Sequence, residues 1–301
     1  MTPTWTGIYP AITTPFDSQG DVDYDFLAEH AKWLMANGCH GIVVCGSLGE
    51  GATLTLGERE GICEVVSRAI GDAPTICGIA ALSTDAAITQ AKVAESAGCS
   101  GLMVLPAYSY STDWREAKAH VVSVMRSTSL SCMLYNNPIS YKTDYTPENI
   151  AELAGELENF HAVKESSADV RRLAAIRALI GNRLMLMVGV DDLIVEALRA
   201  GADGWIAGLV NAFPRESAAI YHWTHQGRHR EVDELYQWFL PLLRLDVVPK
   251  LVQLIKLAQA EVGMGSPVVR APRLELEEKE LEEALAIIRR GLDTRPAVDL
   301  P

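Results

Sequence analysis

Residues 160–169 read FHAVKESSAD. A short apolar run ends at Lys164, a polar turn follows, and a helical pattern occupies residues 169–180. The run does not alternate apolar with polar positions, which suits a strand covered on both faces in a parallel sheet. A solvated lysine belongs on a helix face or in a loop. One at the exit of a buried strand sits where water is scarce, so its position asks for a chemical reason.

The same unit recurs along the chain. Apolar runs at 7–13, 41–46, 75–80, 101–105, 132–136, 161–165, 184–189 and 204–208 alternate with helical patterns at 23–37, 57–70, 84–97, 113–127, 147–155, 169–180, 191–200 and 214–226. Cap signals open several helices, among them Ser83-Thr84-Asp85 and Thr146-Pro147-Glu148, and glycines such as Gly38, Gly98 and Gly201 close others. Eight strand–helix units in roughly 225 residues predict an α/β fold, a (β/α)₈ TIM barrel, over residues 1–228. A doubly wound open sheet is the alternative, since periodicity does not report closure, but no G-x-G-x-x-G follows the first strand. Residues 229–301 predict a C-terminal helical extension with helices at 230–244, 248–262 and 274–291. Its breaks are expected at Pro241, Pro249 and the loop GMGSPVVRAP.

Composition narrows the function classes. The chain has 301 residues, 49% hydrophobic and 22% charged, with a formal net charge of −13. That charge argues against nucleic acid and against an anionic membrane surface, and no apolar run reaches the length of a membrane span. The N-terminus lacks the pattern of a signal peptide, so a cytoplasmic protein is expected. Six cysteines, none in a C-x-x-C pair and most within apolar segments, predict buried reduced thiols rather than disulfides or a zinc site. His222, His225 and His229 at helical spacing read as a solvated helix face rather than as metal ligands.

In a barrel, the C-terminal ends of the strands carry the chemistry. Two titratable groups stand out there on consecutive strands, Tyr135 and Lys164. A lysine in the barrel mouth is costly as a cation, so its pKa is expected to fall, and a neutral amine is the nucleophile that forms a Schiff base with a carbonyl. Lys164 paired with a carboxylate as a structural brace is the plainer alternative. Tyr135 could exchange protons with a substrate, or be a core tyrosine with a satisfied hydroxyl. In the segment GSLGEG, glycines flank Ser47-Leu48 and let the backbone turn its amides toward an anion such as a carboxylate.

Taken together, Gly46-Ser47-Leu48-Gly49-Glu50, Tyr135-Asn136-Asn137-Pro138, Val163-Lys164-Glu165 and Gly189-Val190-Asp191-Asp192 resemble the motifs of the dihydrodipicolinate synthase/N-acetylneuraminate lyase family of Schiff-base aldolases. The resemblance runs from about residue 5 into the C-terminal helices. It implies that Lys164 forms an imine with a small 2-oxo acid and that Tyr135 moves protons. Ser47 would link Tyr135 to a second tyrosine, Tyr108 or Tyr110, reaching in from a neighbouring subunit. The amides of Ser47 and Leu48 would hold the carboxylate, with Gly189 and Ile206 lining the substrate. It further implies a homotetramer built as a dimer of dimers, and no cofactor beyond the covalent lysine imine.

The chain also departs from the family pattern. Leu48 stands where dihydrodipicolinate synthases typically carry a second threonine. After Tyr135-Asn136-Asn137-Pro138 comes Ile139-Ser140-Tyr141-Lys142, with no arginine to grip the carboxylate of aspartate semialdehyde. Only Lys142 offers a positive charge nearby, in a form less suited to a bidentate grip. These departures point to a catabolic lyase that cleaves, condenses or dehydrates a 2-oxo acid. The alternatives are a 1-pyrroline-4-hydroxy-2-carboxylate deaminase, a 4-hydroxy-tetrahydrodipicolinate synthase, or a silent sensor that binds a 2-oxo acid without turnover.

Overall fold

The computed structural model describes residues 3–107 and 113–299. Eight strands form one all-parallel sheet: β1 (Gly7–Pro10), β2 (Ile42–Val44), β3 (Thr75–Ile79), β4 (Gly101–Val104), β5 (Ser131–Asn136), β6 (Phe160–Glu165), β7 (Met185–Val188) and β8 (Gly204–Ala207). Their order, β1-β8-β7-β6-β5-β4-β3-β2, puts β1 and β2 at the two ends. A parallel bridge between Ala11 and Val43, with the Ile12 amide donating to the Val43 carbonyl at 2.9 Å, joins those ends into a barrel. The predicted closed barrel is therefore the fold, and the open sheet is not.

Among the described residues, twelve helices accompany the strands: α1 (Tyr24–Ala36), α2 (Leu56–Ile70), α3 (Thr84–Ser96), α4 (Trp114–Arg126), α5 (Pro138–Tyr141) and α6 (Pro147–Glu156) in the first half. In the second half come α7 (Arg171–Ile180), α8 (Ile194–Arg199), α9 (Pro214–His225), α10 (His229–Leu243), α11 (Leu251–Glu261) and α12 (Glu278–Asp293). Local chemistry sets their ends. Thr55 and Glu58 form a capping box at α2, and Thr146 and Asn149 form another at α6, where Pro147 occupies the first turn. Gly71 follows α2 with φ +64°, a conformation that costs a glycine nothing. Nearly every strand residue is buried, as expected of strands sandwiched between barrel interior and helical ring.

Three sequence expectations need correction. Pro241 does not break α10, which runs through it and ends two residues later, so the lost amide bond falls in the last turn. The pattern at 191–200 opens as a 3₁₀ turn (Asp191–Leu193), and α8 begins only at Ile194. There the Asp191 carboxylate leaves the helix to accept from the Trp205 indole (2.9 Å) and the amides of Gly208 and Leu209 (3.1 and 2.8 Å). His222 is half-buried rather than solvated, its ring 5.6 Å from that of His40. Among the described residues, no helix is long and apolar enough to cross a membrane.

The C-terminal helices are tied to the catalytic end of the barrel. Glu50, in the left-handed conformation at φ +54°, is buried beside β2. It accepts from the Lys256 ammonium at 2.6 Å and from the Arg270 amide at 3.1 Å. Thr13, just past β1, donates its hydroxyl to the Gln259 side chain at 2.8 Å. These polar contacts hold α11 and the segment after it against the barrel, and the short 3₁₀ turn Arg244–Asp246 ahead of α11 packs against Gly208 at the end of β8.

Candidate active site

The strand register brings the two titratable residues together. Tyr135 on β5 and Lys164 on β6 are directly paired neighbours, so both side chains leave the sheet on the same face. The Lys164 ammonium lies 4.2 Å from the centre of the Tyr135 ring, and each residue is only 6% exposed. Next to them, just past the end of β7, comes Gly189, where a methyl group would stand 2.2 Å from Lys164 Cε and 2.3 Å from the Ser166 hydroxyl. The lysine stem therefore needs glycine there to cross into the barrel mouth.

These groups open into one cavity of about 490 Å³ at the C-terminal ends of the strands. Ser47, Leu48, Tyr135, Lys164, Gly189 and Ile206, all named from sequence, line it. The volume suits a small organic molecule. Among the described residues, the Ser47 and Leu48 amides have no acceptor within the protein, because the turn spends its bonds on Glu50 N to Ser47 O (3.1 Å) and Gly51 N to Gly46 O (3.0 Å). Two unspent amides at the rim are what a carboxylate requires. Tyr108 and Tyr110 lie outside the described residues.

Electrostatics favour a reactive amine. Burial pulls the Lys164 ammonium from its ordinary 10.5 down to about 8, against the opposing pull of Asp246 and Asp191. Tyr135 moves the other way: burial raises its phenol, partly offset by the 3.0 Å bond its oxygen accepts from the Asn137 amide. Burial likewise lifts the Asp191 carboxyl to about 6, opposed first by the Leu209 amide that it accepts from. At neutral pH the phenol is a proton donor and the amine is free in a useful fraction of molecules.

Three groups at the cavity escaped the sequence reading. The Ser47 hydroxyl is bonded to the hydroxyl of Tyr141 on α5, whose ring packs edge-on at 5.7 Å against that of Tyr135. The expected bond from Ser47 to Tyr135 is thus replaced, within the described residues, by one to Tyr141, because α5 folds back over the strand end. Ser166 lines the cavity with a buried hydroxyl close enough to the Tyr135 phenol to oppose the rise that burial causes in it. Asp246 reaches in from the 3₁₀ turn ahead of α11. Lys142, in contrast, is exposed, donates to the Ile139 carbonyl at 3.0 Å and does not line the cavity. Asn137 stood in a recognised motif; nothing in the local pattern distinguished Asp246.

The thiols are buried and free, as expected, but they are not dispersed: the sulfurs of Cys45, Cys63 and Cys77 lie within 4.8 Å of one another. None of the three lines the cavity. Burial pushes the Cys132 thiol up to about 12, far from a reactive thiolate.

Comparison with known proteins places this arrangement. The 4-hydroxy-tetrahydrodipicolinate synthase of Macrococcus caseolyticus is 31% identical over 296 residues, covering 96% of this chain and 97% of that protein. A putative dihydrodipicolinate synthetase from Pseudomonas aeruginosa superposes with a TM-score of 0.90 at 28% identity, covering 95% of this chain and 99% of that one. The chloride-inhibited dihydrodipicolinate synthase from Acinetobacter baumannii, solved in complex with pyruvate, gives a TM-score of 0.89 at 25% identity over 95% of this chain and 99% of that one. A model of the dihydrodipicolinate synthetase family matches residues 4–290. With barrel fold and near-complete coverage in agreement, this chain belongs to the dihydrodipicolinate synthetase family, whose members are lyases.

Proposed function

We propose that the chain is a lyase that forms a Schiff base through Lys164 with a small 2-oxo acid and then breaks or makes a bond next to the imine. The observation that carries this reading is the buried, depressed Lys164 amine 4.2 Å from the Tyr135 ring in a cavity rimmed by the free Ser47 and Leu48 amides. The A. baumannii relative's complex with pyruvate supports a 2-oxo acid as the guest.

In this reading the Ser47 and Leu48 amides hold the substrate carboxylate and aim C2 at Lys164. The neutral amine adds to the C2 carbonyl; the oxygen takes one proton from the amine nitrogen and a second from Tyr135 and leaves as water, with Tyr135 as the proton carrier. The resulting iminium is the electron sink. Loss of a proton or of a carbon group from C3 sends the bonding pair into it and leaves a neutral enamine. Reprotonation or addition to a second carbonyl restores the iminium, and water then releases product and free lysine. No cofactor is assigned a part. Assembly as a homotetramer belongs to the same reading and is tested by sedimentation of the purified chain.

A catabolic substrate is favoured over aspartate semialdehyde. Among the described residues that line the cavity, Lys164 is the only cation, so a second carboxylate would find no partner there. The competing reading, 4-hydroxy-tetrahydrodipicolinate synthase, has in its favour the activity named for the M. caseolyticus relative. Fast condensation of pyruvate with aspartate semialdehyde would establish it. The decisive experiment for the Schiff base is borohydride reduction in the presence of pyruvate, followed by peptide mass mapping. A reduced adduct on Lys164 is expected; labelling elsewhere, or none, refutes the proposal.

A further inference from the structure

Asp246 is the one acid among the described residues lining the cavity, and the proposed chemistry gives it no task. It arrives from outside the barrel, on the 3₁₀ turn that follows α10. It packs directly over the end of β8: a methyl group at Gly208 would stand 1.9 Å from its Oδ1. Gly208 and Gly189 thus serve as paired gaps, one admitting the carboxyl of Asp246 and the other the stem of Lys164. Oδ1 is withdrawn from solvent and has no hydrogen-bond partner among the described residues. The neighbouring Asp191, in contrast, is saturated by an indole and two backbone amides.

A shielded carboxyl oxygen without a donor costs free energy that a structural role would have recovered through a partner. The rest of the wall beside it is apolar: Val247, Val248, Pro249 and Leu251 also line the cavity. A substrate hydroxyl is the group that suits this carboxyl, since it can donate a hydrogen bond to it and brings no charge of its own. A second carboxylate at the same place would face Asp246 with no arginine or further lysine among the described lining residues to offset it. Discrimination by an unpaired polar group of the site is strong in both directions.

Resting on the Schiff-base reading, we infer that Asp246 is a specificity-determining residue: it binds a hydroxyl on the part of the 2-oxo acid beyond C3 and excludes 2-oxo acids with a second carboxylate. The cavity is then a site for hydroxylated, singly charged 2-oxo acids.

The test is borohydride trapping on Lys164 with three probes, pyruvate, 4-hydroxy-2-oxobutanoate and 2-oxoglutarate, in the parent chain and in Asp246→Asn and Asp246→Ala. The readout is the ratio of trapping efficiency for the hydroxy acid over the diacid. That ratio cancels any change in Lys164 basicity, which acts on all three probes alike. The parent is expected to favour the hydroxy acid by roughly tenfold or more, the worth of one hydrogen bond to a charged or shielded group. Both variants are expected to lose most of that preference, chiefly by admitting 2-oxoglutarate. Circular dichroism confirms that each variant is folded, and the isosteric asparagine keeps the test open if alanine is not. An unchanged ratio in the folded asparagine variant, or a parent without preference, overturns the inference while pyruvate trapping leaves the Schiff base standing. Failure of pyruvate itself to label Lys164 overturns both.

Discussion

Replacing Lys164 by methionine is expected to abolish imine formation and, at neutral pH, to make the protein more stable. The folded-state pKa of this lysine lies near 8 against an ordinary 10.5, with burial as the main cause. At about 1.4 kcal/mol per pKa unit, holding the ammonium in the barrel mouth costs about 3 kcal/mol near pH 7. The side chain is almost wholly buried, so solvent screening does little to reduce that figure. Methionine preserves the stem that threads past Gly189 and removes the charge. Asp246 loses its cation, but burial already holds its carboxyl well above the usual range, which limits what that loss costs.

The sign follows from proton counting. Between about pH 8 and pH 10.5 the unfolded chain binds the proton that the folded lysine has released, so the parent gains stability as pH rises through that window. The cost is fully present below the folded pKa and gone above the unfolded one. The methionine variant's advantage is therefore expected to shrink to roughly half by about pH 9.5. Urea unfolding of both chains at the two pH values measures it. A variant less stable than the parent at neutral pH, or an advantage independent of pH, refutes the claim that this amine is desolvated and strained.

Three further outcomes follow from the same geometry. The rate of pyruvate trapping is expected to rise about tenfold per pH unit below the Lys164 pKa and to level off above about 8, where the amine is already free; a profile still climbing toward 10.5 would contradict the depressed pKa. Gly189→Ala forces Lys164 Cε and the Ser166 hydroxyl aside from contacts of 2.2 and 2.3 Å, so trapping is expected to fall by at least roughly tenfold with little change in melting temperature. Lys256→Ala leaves buried Glu50 without its 2.6 Å partner, with only the Arg273 guanidinium at 3.5 Å to offset it, and is expected to cost about 3 kcal/mol in urea unfolding; adding Glu50→Gln is expected to recover part of it, since the poorly compensated charge is gone.

The fold was legible because each strand–helix unit carries its own signals. Apolar runs such as HAVKE, caps such as Thr146-Pro147 and terminal glycines act within a few residues, and eight repetitions of the same unit leave few architectures. Lys164 and Tyr135 were legible for a related reason. A polar, titratable residue at the end of an apolar strand conflicts with its local setting, and a barrel resolves such conflicts at its mouth.

What remained hidden depends on contacts between distant parts of the chain. Tyr141 looked like one residue in a turn, yet α5 swings it onto the Ser47 hydroxyl, a pairing across ninety-four positions. Asp246 falls between the helical patterns at 230–244 and 248–262, where nothing in the local pattern marks it. It becomes a cavity group because the buried Lys256–Glu50 pair and the Thr13–Gln259 bond press the C-terminal helices over the strand ends. Chain-local physics determined the strands, the helices and the place of the amine, while closure rested on the bridge from Ala11 to Val43. The partners of that amine, and hence the chemistry the pocket can select, were decided only when helices from the end of the sequence packed over the barrel's mouth, because burial and charge pairing depend on distance in space and not on distance along the chain.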